Sequence, residues 1–162
     1  MATAINTILA KIGARLANIT ITNEYNYTFK KIQEGMLKPF AGYDLPAINY
    51  WCTSLANERT VYDDDNRVLD LVIEAFSMTR DEPFTRVVSK LAADIVTGLN
   101  RATGSPAVSD SPSYDLGETV TELIFDSYDY EIGEGQDPWC GALLRFTIKY
   151  RTNPNEMVLY GV

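Results

Sequence analysis

The hydrophobic positions of the chain follow two periods. Ile5, Ile8, Leu9, Ile12, Leu16 and Ile19 recur three and four apart, the spacing that lines up side chains on one face of a helix. The same period returns at Phe84, Val87, Val88, Leu91, Ala92, Ile95 and Leu99, which predicts a second amphipathic helix of about five turns. Asp81 and Glu82 stand before it, where acids complement the positive end of the helix dipole, and Pro83 suits a first turn.

Elsewhere the period is two. Tyr25-Asn26-Tyr27-Thr28-Phe29-Lys30 alternates aromatic and polar residues and predicts a half-buried strand. Residues 47–52 form a short β-prone run. In 68–76, Leu69, Leu71, Ile73 and Ala75 share one face while Asp70 and Glu74 lie on the other. In 142–150, Ala142, Leu144, Phe146, Ile148 and Tyr150 oppose Arg145, Thr147 and Lys149. Acids on one outer face and bases on the other invite antiparallel pairing. The register that sets Asp70 beside Lys149 and Glu74 beside Arg145 also sets Leu71 beside Ile148 and Ile73 beside Phe146. Residues 118–132 are β-like again. Asp63-Asp64-Asp65-Asn66 reads as a turn, and the Ser- and Pro-rich stretch 103–116 as a mobile surface loop with little to bury. The order is helix, three strands, helix, two strands. It predicts one α+β domain over 1–162, with both helices on one face of a largely antiparallel sheet.

Composition narrows the function. The 162 residues include 14 Lys and Arg against 22 Asp and Glu, a net charge of −8, which argues against tight non-specific nucleic-acid binding. Histidine is absent, so Ser-His-Asp and Cys-His catalysis and His-ligated metal sites are excluded. Two cysteines are too few for a disulfide framework and fit a reducing compartment. No run reaches the roughly 18 apolar residues of a membrane span, and an ordinary first helix, in a soluble protein made in a cytoplasm, is the reading of the N-terminal segment.

No catalytic constellation emerges. The Asp63 cluster lacks the spacing of a calcium loop. Asp81 and Glu82 are adjacent and point apart, and Gly133-Glu134-Gly135 sets an acid where a phosphate cradle needs none. Cys52 lies in an apolar run and Cys140 has no adjacent base to activate it. What stands out is charge segregation. Residues 102–144 hold nine acids and no Lys or Arg, as a solvated acidic face would, or a surface that lets a polyanion pass without adhering. The ten tyrosines are mostly expected in strands and core, about a third on an assembly surface.

Read in order, these segments resemble the tail terminator (tail completion) proteins of long-tailed bacteriophages, the lambda-type minor tail protein family. The resemblance covers about 44–150. It rests on Asp44-Leu45-Pro46-Ala47-Ile48 entering a strand, on Leu69-Asp70-Leu71-Val72-Ile73-Glu74-Ala75-Phe76, and on the helix after it. Tyr128-Asp129-Tyr130-Glu131, an acidic turn, and Trp139-Cys140-Gly141-Ala142-Leu143-Leu144-Arg145-Phe146-Thr147-Ile148-Lys149-Tyr150 complete it. The 103–116 loop and the tail after Tyr150 depart from the shorter members.

The resemblance implies a structural virion protein, assembled in the host bacterial cytoplasm, that is not an enzyme and uses no cofactor and no metal. Its partners would be five further copies in a hexameric ring, the tail tube protein it caps, and a neck, head-completion or connector protein. DNA would pass through the ring without specific binding, and no membrane is involved. Asp63, Asp64, Asp65, Glu131, Glu134 and Asp137, acids near predicted turns, are the candidates for lining the opening. A head–tail adaptor of the neck is the nearest alternative. A small hydrolase using the Asp63 carboxylates and a divalent ion is the alternative from another class.

Overall fold

A computed structural model describes residues 3–59, 65–79, 81–108, 112–133, 138–153 and 159. Helix α1 (Ala4–Ala17) starts where the Thr3 hydroxyl accepts from the Asn6 amide at 3.3 Å, satisfying one of the amides that a first turn leaves unpaired. Its Ile8, Leu9, Ile12 and Leu16 are buried, with Ile19 following just beyond the helix and Ile5 half-buried. Strands β1 (Lys31–Glu34), β2 (Ala47–Arg59) and β3 (Asp65–Met78) come next, then α2 (Phe84–Leu99), β4 (Glu122–Ile132) and β5 (Trp139–Thr152). The five strands make one sheet in the order β1-β2-β3-β5-β4. Only β1 and β2 run parallel. Both helices pack on the same face, over Ile48, Tyr50, Leu69, Leu71, Ile73, Leu144, Phe146 and Ile148. The chain is an α+β domain with a mixed sheet.

The first strand is displaced from its expected place. Residues 25–30 form no strand, although Tyr25 and Phe29 still point inward and are buried. The reason is Asp94, on the buried face of α2. Its carboxylate accepts from the Asn26 amide (3.2 Å), the Asn26 side chain (2.7 Å) and the Tyr27 amide (2.9 Å). Those backbone donors are spent on a helix side chain instead of a neighbouring strand. Pairing with β2 begins only at Lys30, whose amide donates to the Pro46 carbonyl at 2.8 Å, just after the cis Leu45–Pro46 peptide.

Strands β3 and β5 are antiparallel neighbours as expected, but two residues out of the anticipated register. Val68 faces Lys149, Leu71 faces Phe146 and Ile73 faces Leu144. A slip of two keeps every side chain on its own face, so the hydrophobic pattern alone does not distinguish the two registers. The expected ion pairs with Asp70 and Glu74 are not formed. The β5 bases turn to β4 instead: Lys149 meets Glu122 at 3.2 Å and Arg145 meets Asp129 at 2.5 Å, while Thr147 donates to Asp126 at 2.7 Å.

The 103–116 stretch has more to bury than its composition suggests. Leu116 is buried, in a left-handed run with Gly117 and Glu118 (φ of 51°, 69° and 64°). That conformation is unfavourable for Leu and Glu. It is held by Asp115, whose carbonyl accepts the Thr119 and Val120 amides and whose carboxylate accepts from Gly117 at 3.1 Å. Upstream, the Gly104 amide donates to Asn18 and the Ala107 amide to the Asn23 carbonyl. Residues 109–111 lie outside the described residues. The α2 stripe is buried as spaced, except at Phe84, which is 39% exposed at the helix start. Pro83 is the cap there, and Glu82 reaches Lys90 at 2.7 Å.

Candidate functional site

With both helices on one side, the opposite face of the sheet carries the charges. Strand alternation places Asp70 and Glu74 of β3, Arg145, Thr147 and Lys149 of β5, and Asp129 and Glu131 of β4 on it. The three β4–β5 contacts described above form a polar ladder along this face. Its ion pairs are about half exposed, a setting where each contributes roughly 0–1 kcal/mol. They fix direction and register more than they stabilise.

At one end the face is covered. The segment after β1 folds back so that Phe40 meets Phe76 with ring centroids 6.1 Å apart, and Phe76 meets Trp139 edge-on at 5.3 Å. Gly141 opposite Phe76 and Gly133 beneath Trp139 make room for these rings. A Cβ at either would come within 2.6 Å of ring atoms. Between the segment and the sheet lies a cleft of about 480 Å³ lined by Met36, Pro39, Phe40, Phe76, Met78 and Trp139.

Beside that cover the acids crowd. Burial raises the Glu74 carboxyl pKa, and nearby Glu131 raises it further; Glu131 is raised by burial and then by Asp129. The sign follows from linkage. A carboxyl whose folded pKa lies above its unfolded value lends stability that is full below the ordinary glutamate value of 4.5 and is lost as pH rises through the raised folded value. Glu131→Gln and Glu74→Gln are therefore expected to melt higher than the wild type at pH 7, with the gain gone by about pH 4. Thermal unfolding at the two pH values checks this; equal melting at pH 7 would show that the crowding has no energetic consequence.

Of the acids anticipated from sequence, the two that are described lie apart. Glu131 is half-buried on the outer sheet face, opposite Gly141. Asp65 opens β3 opposite Thr152 instead of occupying a turn. Roughly 36 Å of strand separates the two along β5, at about 3.3 Å per residue. Asp63, Asp64, Glu134 and Asp137 lie outside the described residues. Reasoning from turns overlooked Glu74, Asp126 and Asp129, which the pairing of β3 and β4 with β5 brings to the same face as Glu131. The alternating acids of β4 against the alternating bases of β5 were the signal that could have found them.

A second feature lies on the helix side of β4. A bulge between Phe125 and Ser127 shifts the strand's register, and beyond it Tyr128, Tyr130 and Ile132 point toward α2. Tyr130 meets Phe84 edge-on at 6.3 Å and Tyr128 at 5.7 Å. The stripe outruns the helix that should cover it, leaving Tyr130 49% and Ile132 55% exposed. Of the eight described tyrosines, Tyr43, Tyr114 and Tyr130 are exposed.

The cysteines are free, and burial pushes both thiols up to about 11, Cys52 with a further push from Glu34. Near neutral pH each is a protonated thiol rather than a nucleophilic thiolate. Among the described residues, no helix is long and apolar enough to cross a membrane. No protein-family model matches the sequence, and no curated protein is significantly similar to it.

Proposed function

We propose that this chain is the tail terminator of a long-tailed bacteriophage, a structural subunit that closes into a ring on the last ring of the tail tube. The ring ends tube growth and offers the surface to which the neck of the filled head joins. The observation that carries the reading is the sheet itself. Both helices crowd one face, leaving an opposite face that bears Asp70, Glu74, Asp126, Asp129 and Glu131, and two outer strands open to further contacts.

In a ring, each copy gives one patch and receives another. The acidic face, turned toward the opening, would present negative charge to passing DNA. Like charges repel, and the Arg145 and Lys149 cations of the same face are held by Asp129 and Glu122, so the genome slides instead of binding. Glu131, Glu74 and Asp129 serve this role in the proposal. Asp65, at the far end of the sheet, would stand at the rim.

The test is to image particles made without the chain. Tubes that overrun their normal length and carry no heads agree with a terminator. Tails of normal length beside filled heads that leak DNA would assign the chain to the head–tail adaptor role instead.

A further inference from the structure

Among the described residues, strands β1 and β4 are the two outer strands of the sheet, each with a single neighbouring strand. Each therefore turns one row of backbone N–H and C=O groups away from its neighbour, the arrangement that templates pairing with another chain; on β4 the 112–116 segment takes up part of that row at Leu123, whose amide donates to the Tyr114 carbonyl at 3.1 Å, before the 127–132 stretch. We propose that copies of this chain associate head to tail by continuing the sheet, the β4 edge of one copy pairing with the β1 edge of the next. The ring reading supplies only the closure of this arrangement; the contact itself is argued from the two edges.

The regular part of β4 is long enough to cover β1. The bulge between Phe125 and Ser127 interrupts β4, leaving residues 127–132 as a regular stretch against the four residues of β1. They also match on both faces. Across a paired edge, facing residues share a side of the sheet. On the outer side β4 presents Asp129 and Glu131, and β1 presents Lys31, with Lys38 following in the segment that covers the same face. On the helix side β4 leaves Tyr130 and Ile132 exposed, and β1 presents half-buried Ile32 beside exposed Glu34. Outside, Glu131 and Asp129, the latter also holding Arg145, meet lysine; inside, Ile32 supplies the apolar match.

The same pattern selects against the symmetric alternatives. Pairing β4 with β4 would set Asp129 and Glu131 against acids of the other copy, and pairing β1 with β1 about Lys31 would set lysine against lysine. Like charges directly opposite are destabilising. The counter-charges are also available. Lys38 is exposed and enters no ion pair among the described residues, and Lys31 holds Asp44 only at 3.5 Å and half exposed. Glu131, crowded by Asp129 and Glu74, gains a cation that it lacks among the described residues.

A charge swap tests the pairing. Lys31→Glu with Lys38→Glu makes both edges acidic, and Asp129→Lys with Glu131→Lys makes both basic. The full-length wild type is expected to assemble with rising concentration in analytical ultracentrifugation and native mass spectrometry. Each double variant alone should remain monomeric. Their equimolar mixture should assemble again, with the two variants in equal numbers, because only unlike neighbours fit. Circular dichroism confirms folding of each variant. Should one fail to fold, Lys31→Gln with Lys38→Gln and Asp129→Asn with Glu131→Gln replace them, and each must weaken wild-type assembly at least tenfold.

A wild type that stays monomeric to its solubility limit would overturn the proposal. So would single variants that assemble as the wild type does, or a mixture that does not. Failure of the tail role is read separately. Assembly that obeys the charge swap, in a chain whose absence leaves tail length unchanged, removes the terminator and keeps the edge pairing. Monomers that still cap tubes do the reverse.

Discussion

Replacing Asp94 by alanine is expected to lower the melting temperature by roughly 5–10 °C, the consequence of losing about 3 kcal/mol in a domain of this size. Asp94 is 3% exposed and serves three donors at once. Burial raises its pKa, opposed by the hydrogen bonds from Asn26 and Tyr27, so the carboxylate stands in a site that tolerates its charge only because those donors are there. Alanine removes the acceptor and frees 25–30 from α2. Tyr25 and Phe29, which fill the core from that segment, then lose their anchor. Asp94→Asn should cost less, since its single carbonyl oxygen can still accept while its NH₂ group meets a donor head-on. Thermal and urea unfolding of the two variants measure both effects. An alanine variant melting within 1–2 °C of the wild type, on the order of half a kcal/mol, would mean that the segment is held by its aromatic side chains alone.

Arg15→Met should cost a similar amount, about 3 kcal/mol, because methionine preserves bulk but donates nothing. Arg15 lies buried in α1 and reaches the C-terminal end of α2, donating to the Leu99 carbonyl. The same guanidinium donates to the Ser113 carbonyl at 2.6 Å and its hydroxyl at 2.8 Å. A cation at a helix C-terminus is favoured by the dipole. Burial lowers the Arg15 pKa, and Asp115 partly restores it. The fork thus joins both helices to the 112–116 segment, and its loss takes the donor from the buried Leu99 carbonyl and the half-buried Ser113 carbonyl. Lysine cannot make three directed bonds in this geometry, so Arg15→Lys should recover less than half of the loss. If Arg15→Met unfolds at the same denaturant concentration as the wild type, water has replaced the guanidinium without cost.

Asp94 and Arg15 also show why parts of the fold were legible in the sequence and others were not. Both helices, the long strands β3 and β5 and their antiparallel contact follow from periodicity, because burial on one face writes itself into the spacing of Ile, Leu, Val and Phe. The β3–β5 register does not, since a two-residue slip preserves both faces. The ion pairs expected between β3 and β5 were the wrong discriminator, because a third strand, β4, supplies the acids. The 25–30 segment has the right alternation, yet one buried aspartate sixty-seven or more positions away takes its amides. Tertiary contacts of that kind leave no mark on local pattern. The 103–116 stretch reads as a surface loop with little to bury from its Ser and Pro content, but Arg15, Asn18 and Asp115 bind its backbone and Leu116 enters the core.

The candidate site was legible as a charge imbalance over 102–144 rather than as a set of positions. Choosing acids near turns selected Asp65 and Glu131, which the sheet holds at opposite ends. The residues that do share a face with Glu131 are strand residues, and their common direction follows from pairing and from the bulge in β4, neither of which is a property of any one segment.

The central claim is that copies of this chain surround an opening with the acidic sheet face turned inward. Electron cryo-microscopy of the native particle, at a resolution that traces strands, tests it most directly. The account predicts an annulus at the head-proximal end of the tail tube whose inner wall carries Glu74, Asp129 and Glu131. A tube end without such an annulus, or an annulus whose inner wall is formed by the helix side and is basic, would contradict it.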